Sequence, residues 1–374
     1  MLLAHNDVSN LIRLKRKEWT RSPMHLLLRN LVSWEQLKRA DPGYTVVIAS
    51  MAALAPLVVA NLRLAARQSS ARMRELILVI DCPADRIPDT IQATVRECSE
   101  FMRIRVIAYT DWQHFVARRL NWGWAYSWLS WSLGIAHSAT RALIIHDLDA
   151  LPIFPGLFES LYDNWLDSGA EFCGIKQYRG NGVSDEMNLV TTFELALDAG
   201  YLRERFRPFD LFNKLRLMEG RLIDFDTMLH VQLQSRKRAL REVFQSHLVH
   251  PSGVVCQYTD LVAGRTTFAR RSHNLLMLPY FFFLGGDSAM LFSVSPQLRR
   301  MNSETIRLLG RRLHIDGIPP SHWAWMEKQI RRLEQAVAGY TRPEIAEYLD
   351  GFIHRAGEFR TVGREIGPSA VNES

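Results

Sequence analysis

At 374 residues, 47% hydrophobic and 23% charged, the chain can bury a sizeable core as one large domain with additions or as two smaller ones; a disordered, collagen-like or coiled-coil protein is excluded. The formal charge of +7 favours anionic partners such as nucleotide diphosphates or acidic lipid headgroups, whereas nucleic acid is not an expected partner because no nucleic-acid-binding motif accompanies the charge.

Residues 1–43 read as a basic helical segment that stops at the turn signal Asp41-Pro42-Gly43. Its cluster of Arg13, Lys15, Arg16, Lys17 and Arg21 suits a peripheral contact with a membrane surface. The paired arginines elsewhere, among them Arg270-Arg271 and Arg331-Arg332, read as solvated faces. No signal peptide is visible, since the short apolar start over 1–4 runs at once into His5-Asn6-Asp7. Cys82, Cys98, Cys173 and Cys256 lie far apart without a C-x-x-C, which points away from a zinc site or a disulfide framework and toward a reducing, cytoplasmic compartment, at most peripheral to the inner face of the membrane. Nothing in the sequence speaks to oligomeric state.

Residues 44–300 form the second zone. Thr45-Val46-Val47-Ile48-Ala49 is a buried-strand run. The uncharged stretch 45–62 is long enough to span a bilayer, but Ser50, Pro56 and Asn61 interrupt it, and it reads as strand, turn and helix start. Further strands are expected over 76–80, 103–109 and 142–145, with helices over about 54–67, 88–101 and 124–138 between them. Strands alternating with helices predict an α/β fold: a mostly parallel sheet with helices on both faces. In the 124–138 region Trp122, Trp124, Tyr126, Trp128 and Trp131 read mainly as core, with Trp122 and Trp124 as the exposed exceptions available for stacking. The third zone, 301–374, reads as a helical addition, with Trp323, Met326, Ile330, Leu333 and Val337 as a packing stripe.

The fourth strand runs straight into His146-Asp147-Leu148-Asp149. Two carboxylates at i and i+2 of an extended segment project to one side and can meet one hard cation. The plain alternative is that both aspartates cap the turn before Pro152 and Pro155. His146 should face the other way.

The segment from Gly134 through Arg141-Ala142-Leu143-Ile144-Ile145-His146-Asp147-Leu148-Asp149 to Pro152, with Pro155-Gly156-Leu157 beyond it, resembles the core of GT-A glycosyltransferases, over roughly residues 44–260. The resemblance implies a GT-A-like domain over 44–300 and an enzyme that moves a sugar from a nucleotide diphosphate sugar to a hydroxyl of a glycan or lipid-linked acceptor, using Mn²⁺ or Mg²⁺. It implies Asp149 as a metal ligand, Asp147 as a ligand or ribose contact, and Asp81, Ser50 and Met51 beside the nucleobase. Asp81 can equally be a turn residue before Pro83. In inverting members an acid at a helix start takes the acceptor proton. Asp226 matches it, Asp224 stands in reserve, and a helix over 228–238 should follow; Asp226 also suits the N-cap of that helix. His250, in His250-Pro251-Ser252-Gly253, matches an H-x-x-G that completes the metal shell, or is a hydrogen-bonded loop histidine.

Three alternative readings of the acidic pair can be set against this one. A haloacid-dehalogenase phosphatase would carry its D-x-D near the first strand, not the fourth. A sugar nucleotidyltransferase would carry a glycine-rich loop where Ser50-Met51-Ala52-Ala53 stands. An inactive glycosyltransferase-like binding domain would not need the intact acidic pair.

Overall fold

The computed structural model describes residues 5–265, 273–300 and 303–365. The Arg270-Arg271 pair and the apolar start over 1–4 lie outside the described residues. In chain order the elements begin with α1 (His5–Leu28), β1 (Asp41–Ser50), α2 (Ala55–Ala66), β2 (Met73–Ile80), α3 (Asp89–Cys98), β3 (Ile104–Ala108), α4 (Asp111–Leu120), α5 (Gly123–His137) and β4 (Thr140–His146). There follow β5 (Leu151–Pro152), α6 (Leu157–Ser168), β6 (Phe172–Gly174), β7 (Leu195–Asp198), α7 (Ala199–Arg205), β8 (Lys214–Met218), β9 (Arg221–Phe225), the single turn α8 (Leu229–Gln232) and β10 (Arg238–Leu240). Then come β11 (Leu248–Val249), α9 (Val254–Val262), α10 (Leu278–Leu284), α11 (Ala289–Leu298), the hairpin β12 (Thr305–Leu308) and β13 (Arg311–His314), α12 (Pro320–Ala338) and α13 (Pro343–Glu365).

The expected α/β architecture is present. A seven-stranded sheet has the order β10-β6-β7-β4-β1-β2-β3. Within it β4, β1, β2 and β3 are parallel, and β7 alone runs against its neighbours. The period of two along each strand divides the core. Val46, Ile48, Leu78 and Ile144 face one hydrophobic cluster, shared with α2, α6 and the helices from α10 onward. Val47, Ile77, Val79, Leu143 and Ile145 face the other, shared with α4, α5 and α7. Because both faces are covered, the strands read in sequence as unbroken apolar runs. The first cluster continues across residue 300, taking in Leu291, Trp323, Ile330 and Phe352.

On the second face α5 packs so closely on β1 that a Cβ at Gly134 would overlap both methyls of Val47. Gly134→Ala is expected to lower stability by ~1–3 kcal/mol through overpacking, read as a shifted urea midpoint at unchanged slope.

Two expectations about local structure are corrected. The zone beyond 300 is not purely helical: β12 and β13 pair antiparallel around Leu309 and Gly310, both at positive φ (51° and 73°), a primed turn that matches strand twist. The helix over 228–238 is cut to α8, because Met228 enters it at φ 67° and the chain must be extended again by Arg238 to pair β10 with β6. Sheet pairing outweighs the local helical pattern there. The uncharged 45–62 stretch is β1 followed by α2 as expected, and no helix among the described residues is long and apolar enough to cross a membrane.

Candidate active site

From β1 the chain steps outward to β2 and β3, then returns to place β4 on the other side of β1. In open parallel sheets this reversal leaves a crevice beyond the carboxyl ends of the two strands, where ligands bind. Ser50 ends β1 and the acidic pair follows β4. A cavity of about 1300 Å³ opens at this point, and its walls include Ser50, Met51, Asp81, Asp147, Asp149, Asp226 and His250. Every site residue expected from sequence except Asp224 is on its wall.

Asp147 and Asp149 lie on a turn, closed by the Ala150 amide donating to the Asp147 carbonyl at 3.1 Å, rather than on the extended segment expected. They still converge. His250 Nε2 stands 3.4 Å from Asp149 Oδ1 and 3.9 Å from Asp147 Oδ2. The approach is built by a two-residue ladder: β5, just after the acidic turn, pairs with β11, just before His250, through Leu151 with Val249 and Pro152 with Leu248. Phe193 packs on the imidazole with ring centroids 4.0 Å apart. Among the described residues neither carboxylate accepts a hydrogen bond from the turn's backbone, so the capping alternative has no contact to support it.

The electrostatics are those of two crowded carboxylates facing one imidazole. Burial, then the Asp149 carboxylate, push the Asp147 carboxyl up to about 7, against the pull of His250. Burial alone would lower His250, but its bond to Asp149 and the charges of Asp149 and Asp147 raise it overall. One ligand atom from each of the three residues lies within 4.8 Å of the others. An ion with bonds of ~2.1 Å separates opposed ligands by about 4.2 Å, so shifts under ~1 Å would complete the contact. Two carboxylates and an imidazole fit a divalent cation.

The other walls are placed by the same strand ends. Asp81, just past β2, accepts from the Ala52 amide at 2.8 Å and so fixes the turn after β1. Burial raises its carboxyl pKa, partly offset by that bond. Among the described residues the Ser50 hydroxyl and the Trp131 Nε1 are buried without a protein partner, two polar atoms that a ligand could satisfy. Trp128 and Trp131 are core, while Trp122 and Trp124 are half-buried on the cavity wall.

Asp226 follows β9 and is also on the cavity wall; its carboxyl is raised by burial, lowered by the Thr227 amide and raised by Asp224. Cys256 is an exposed residue on the same wall; partial desolvation in the cavity, then the charges of Asp149, Asp226 and Asp147, push its thiol up to about 11. Asp224 is a different case. Both its oxygens are held by Arg21, at 3.1 and 2.9 Å, and Asn213 adds a bond at 3.1 Å, so it anchors α1 and is not itself among the residues lining the cavity. This corrects its standing as a reserve base.

Three supporting residues were not anticipated. Asn61 of α2 is fully buried, and its Nδ2 donates to the carbonyls of Asp147, Leu148 and Ala150 at 3.1, 2.8 and 3.0 Å. Its Oδ1 meets His146 Nε2 at 3.1 Å, and His146 Nδ1 bonds to the buried Glu194, so His146 does face away from the carboxylates. The sequence signal was Asn61 itself, a polar break in an apolar helix. Lys176, exposed on the cavity wall, has no ion pair among the described residues. Asn61→Ala would strand buried carbonyls, at a cost of ~1–3 kcal/mol in chemical denaturation.

No protein-family model matches the sequence, and no curated protein matches it at a significant level. Several solved structures are similar in outline. A fragment of TarS from S. aureus in complex with UDP is 12% identical, over 86% of this chain and 92% of that one, with a TM-score of 0.38. The galactosyltransferase LgtC, with donor and acceptor sugar analogues, is 10% identical over 84% and 95%, with a TM-score of 0.39. The mannosyltransferase PcManGT from Pyrobaculum calidifontis, with GDP-Man and Mn²⁺, is 13% identical over 96% and 97%, with a TM-score of 0.36.

Proposed function

We propose that this protein is a GT-A-type, metal-dependent glycosyltransferase that moves a hexose from a nucleotide diphosphate sugar to a hydroxyl of a glycan or lipid-linked acceptor. The observation that carries this reading is the meeting of Asp147, Asp149 and His250 beyond β4, on the wall of the same cavity as Ser50, Met51 and Asp81. Asp149, His250 and Asp147 would hold Mn²⁺ or Mg²⁺; when bound, such an ion neutralises the diphosphate as it departs.

The chain's own residues divide the remaining work. Ser50, Met51 and Asp81 would border the nucleobase, Asp147 would meet the ion or the ribose, and Lys176, on the same cavity wall, would meet the phosphates. Asp226 accepts the proton of the acceptor hydroxyl. The hydroxyl oxygen bonds to the anomeric carbon as the bond from that carbon to the diphosphate oxygen breaks, and the nucleoside diphosphate leaves with the electron pair. One displacement from the opposite face inverts the anomeric centre. The four cysteines, free in the described structure, suit a cytoplasmic protein.

The test is a screen of nucleotide sugars with Mn²⁺, reading nucleoside diphosphate release. Turnover that requires the metal is expected. Release of inorganic diphosphate from a sugar phosphate and a nucleoside triphosphate would instead make the protein a nucleotidyltransferase, and no turnover with any donor would leave a binding domain.

A further inference from the structure

The inner side of α1 is fully committed. Leu14 and Leu28 are buried, Asn10 donates to the Gly220 carbonyl at 2.8 Å, and Arg21 is clamped on Asp224. The outer side is not. Ile12, Trp19 and Leu26 recur every seven residues, so they lie along one line of the helix, and they are 65%, 80% and 64% exposed. An indole left open to that degree contributes nothing to the core. Beside this line stand Arg13, Lys15 and Arg16. Among the described residues Arg13 and Arg16 have no acidic partner, and Lys15 meets only the exposed Glu18 at 3.5 Å.

An apolar line carrying a tryptophan and bordered by cations, two of them without an acidic partner among the described residues, matches the headgroup boundary of an anionic bilayer: the indole and aliphatic groups enter the interface while the cations meet lipid phosphates. A second copy of the chain would bring the same cations against themselves, and charge complementarity therefore favours the lipid. We propose that the Ile12–Trp19–Leu26 face of α1 docks this protein on an anionic membrane surface.

The placement of α1 gives the docking a consequence. The Arg21 guanidinium lies 5.3 and 5.4 Å from the ring centroids of Trp122 and Trp124, which line the cavity. The docked helix is thus at the rim of the cavity, and an acceptor anchored in the membrane would meet the site there. That consequence rests on the transfer reading; the docking itself does not.

The test is co-sedimentation of the full chain with vesicles, without nucleotide or sugar, so its outcome is independent of any transferase activity. Binding to mixed phosphatidylcholine–phosphatidylglycerol vesicles, and weak or no binding to phosphatidylcholine alone, is expected. Trp19→Ala combined with Ile12→Ser should weaken binding on the order of tenfold or more. Arg13→Gln combined with Arg16→Gln should weaken it by a similar factor and flatten its salt dependence. All four side chains are outside the core, and far-ultraviolet circular dichroism checks that the variants fold. No binding to anionic vesicles, equal binding to neutral ones, or unchanged binding by folded variants would overturn the proposal. So would a dimer of the wild-type chain that Trp19→Ala dissociates, which would assign the face to a second copy.

Discussion

Asp149→Ala is expected to lower kcat/KM by at least ~1000-fold in Mn²⁺, about 4 kcal/mol of transition-state stabilisation. Asp149 is the most buried of the three clustered groups and the nearest to His250, so its loss removes both a ligand and the partner that orients the imidazole. The same substitution should not destabilise the metal-free fold. It relieves a repulsion between two crowded carboxylates, and the Asp147 carboxyl, now pushed up in part by Asp149, should fall back toward its ordinary range. Nucleoside diphosphate release and urea denaturation on the same preparation separate these effects. Loss of activity together with loss of stability would give Asp149 a structural role.

Asp226→Asn should cost between about 100- and 10,000-fold in kcat, the span for removal of a general base, with little change in the KM for donor. The amide keeps shape and hydrogen bonding but cannot take a proton. In the wild-type protein the base works only when ionised, and burial holds the Asp226 carboxyl above the usual aspartate value. Activity should therefore be full well above that raised value and fall as pH drops through it, starting at higher pH than for a solvated aspartate. In Asp226→Asn that acid limb should vanish from the residual rate. A limb that persists unchanged would assign the base elsewhere.

The parts of the fold that were legible in sequence are those where one local signal decides the structure. The runs 46–49, 76–80 and 142–145 are apolar at every position because both sheet faces are covered, and all three lie in strands. The acidic pair was legible because charge so soon after a buried strand demands a partner. What could not be read depends on long-range contacts. The pattern over 228–238 is helical taken alone, but the pairing of β10 with β6 takes the chain away from it. Asp224 looked like a second acid beside Asp226 until Arg21, two hundred residues earlier in the chain, was found on it. The link from Glu194 through His146 to Asn61 joins three separate stretches of chain, and its only local trace is one asparagine in an apolar helix. The turn at Leu309-Gly310 shows in sequence only as a glycine between arginine-rich strands.

Titration of Mn²⁺ into the full chain, with bound and free ion separated by electron paramagnetic resonance, tests the central claim most directly. One tight site per chain is expected in the wild-type protein. It should be lost in Asp149→Ala, weakened in His250→Ala and kept in Asp226→Asn, whose carboxyl is outside the cluster. A wild-type chain without a tight site, or an Asp149→Ala chain that binds Mn²⁺ as the wild type does, would contradict the account.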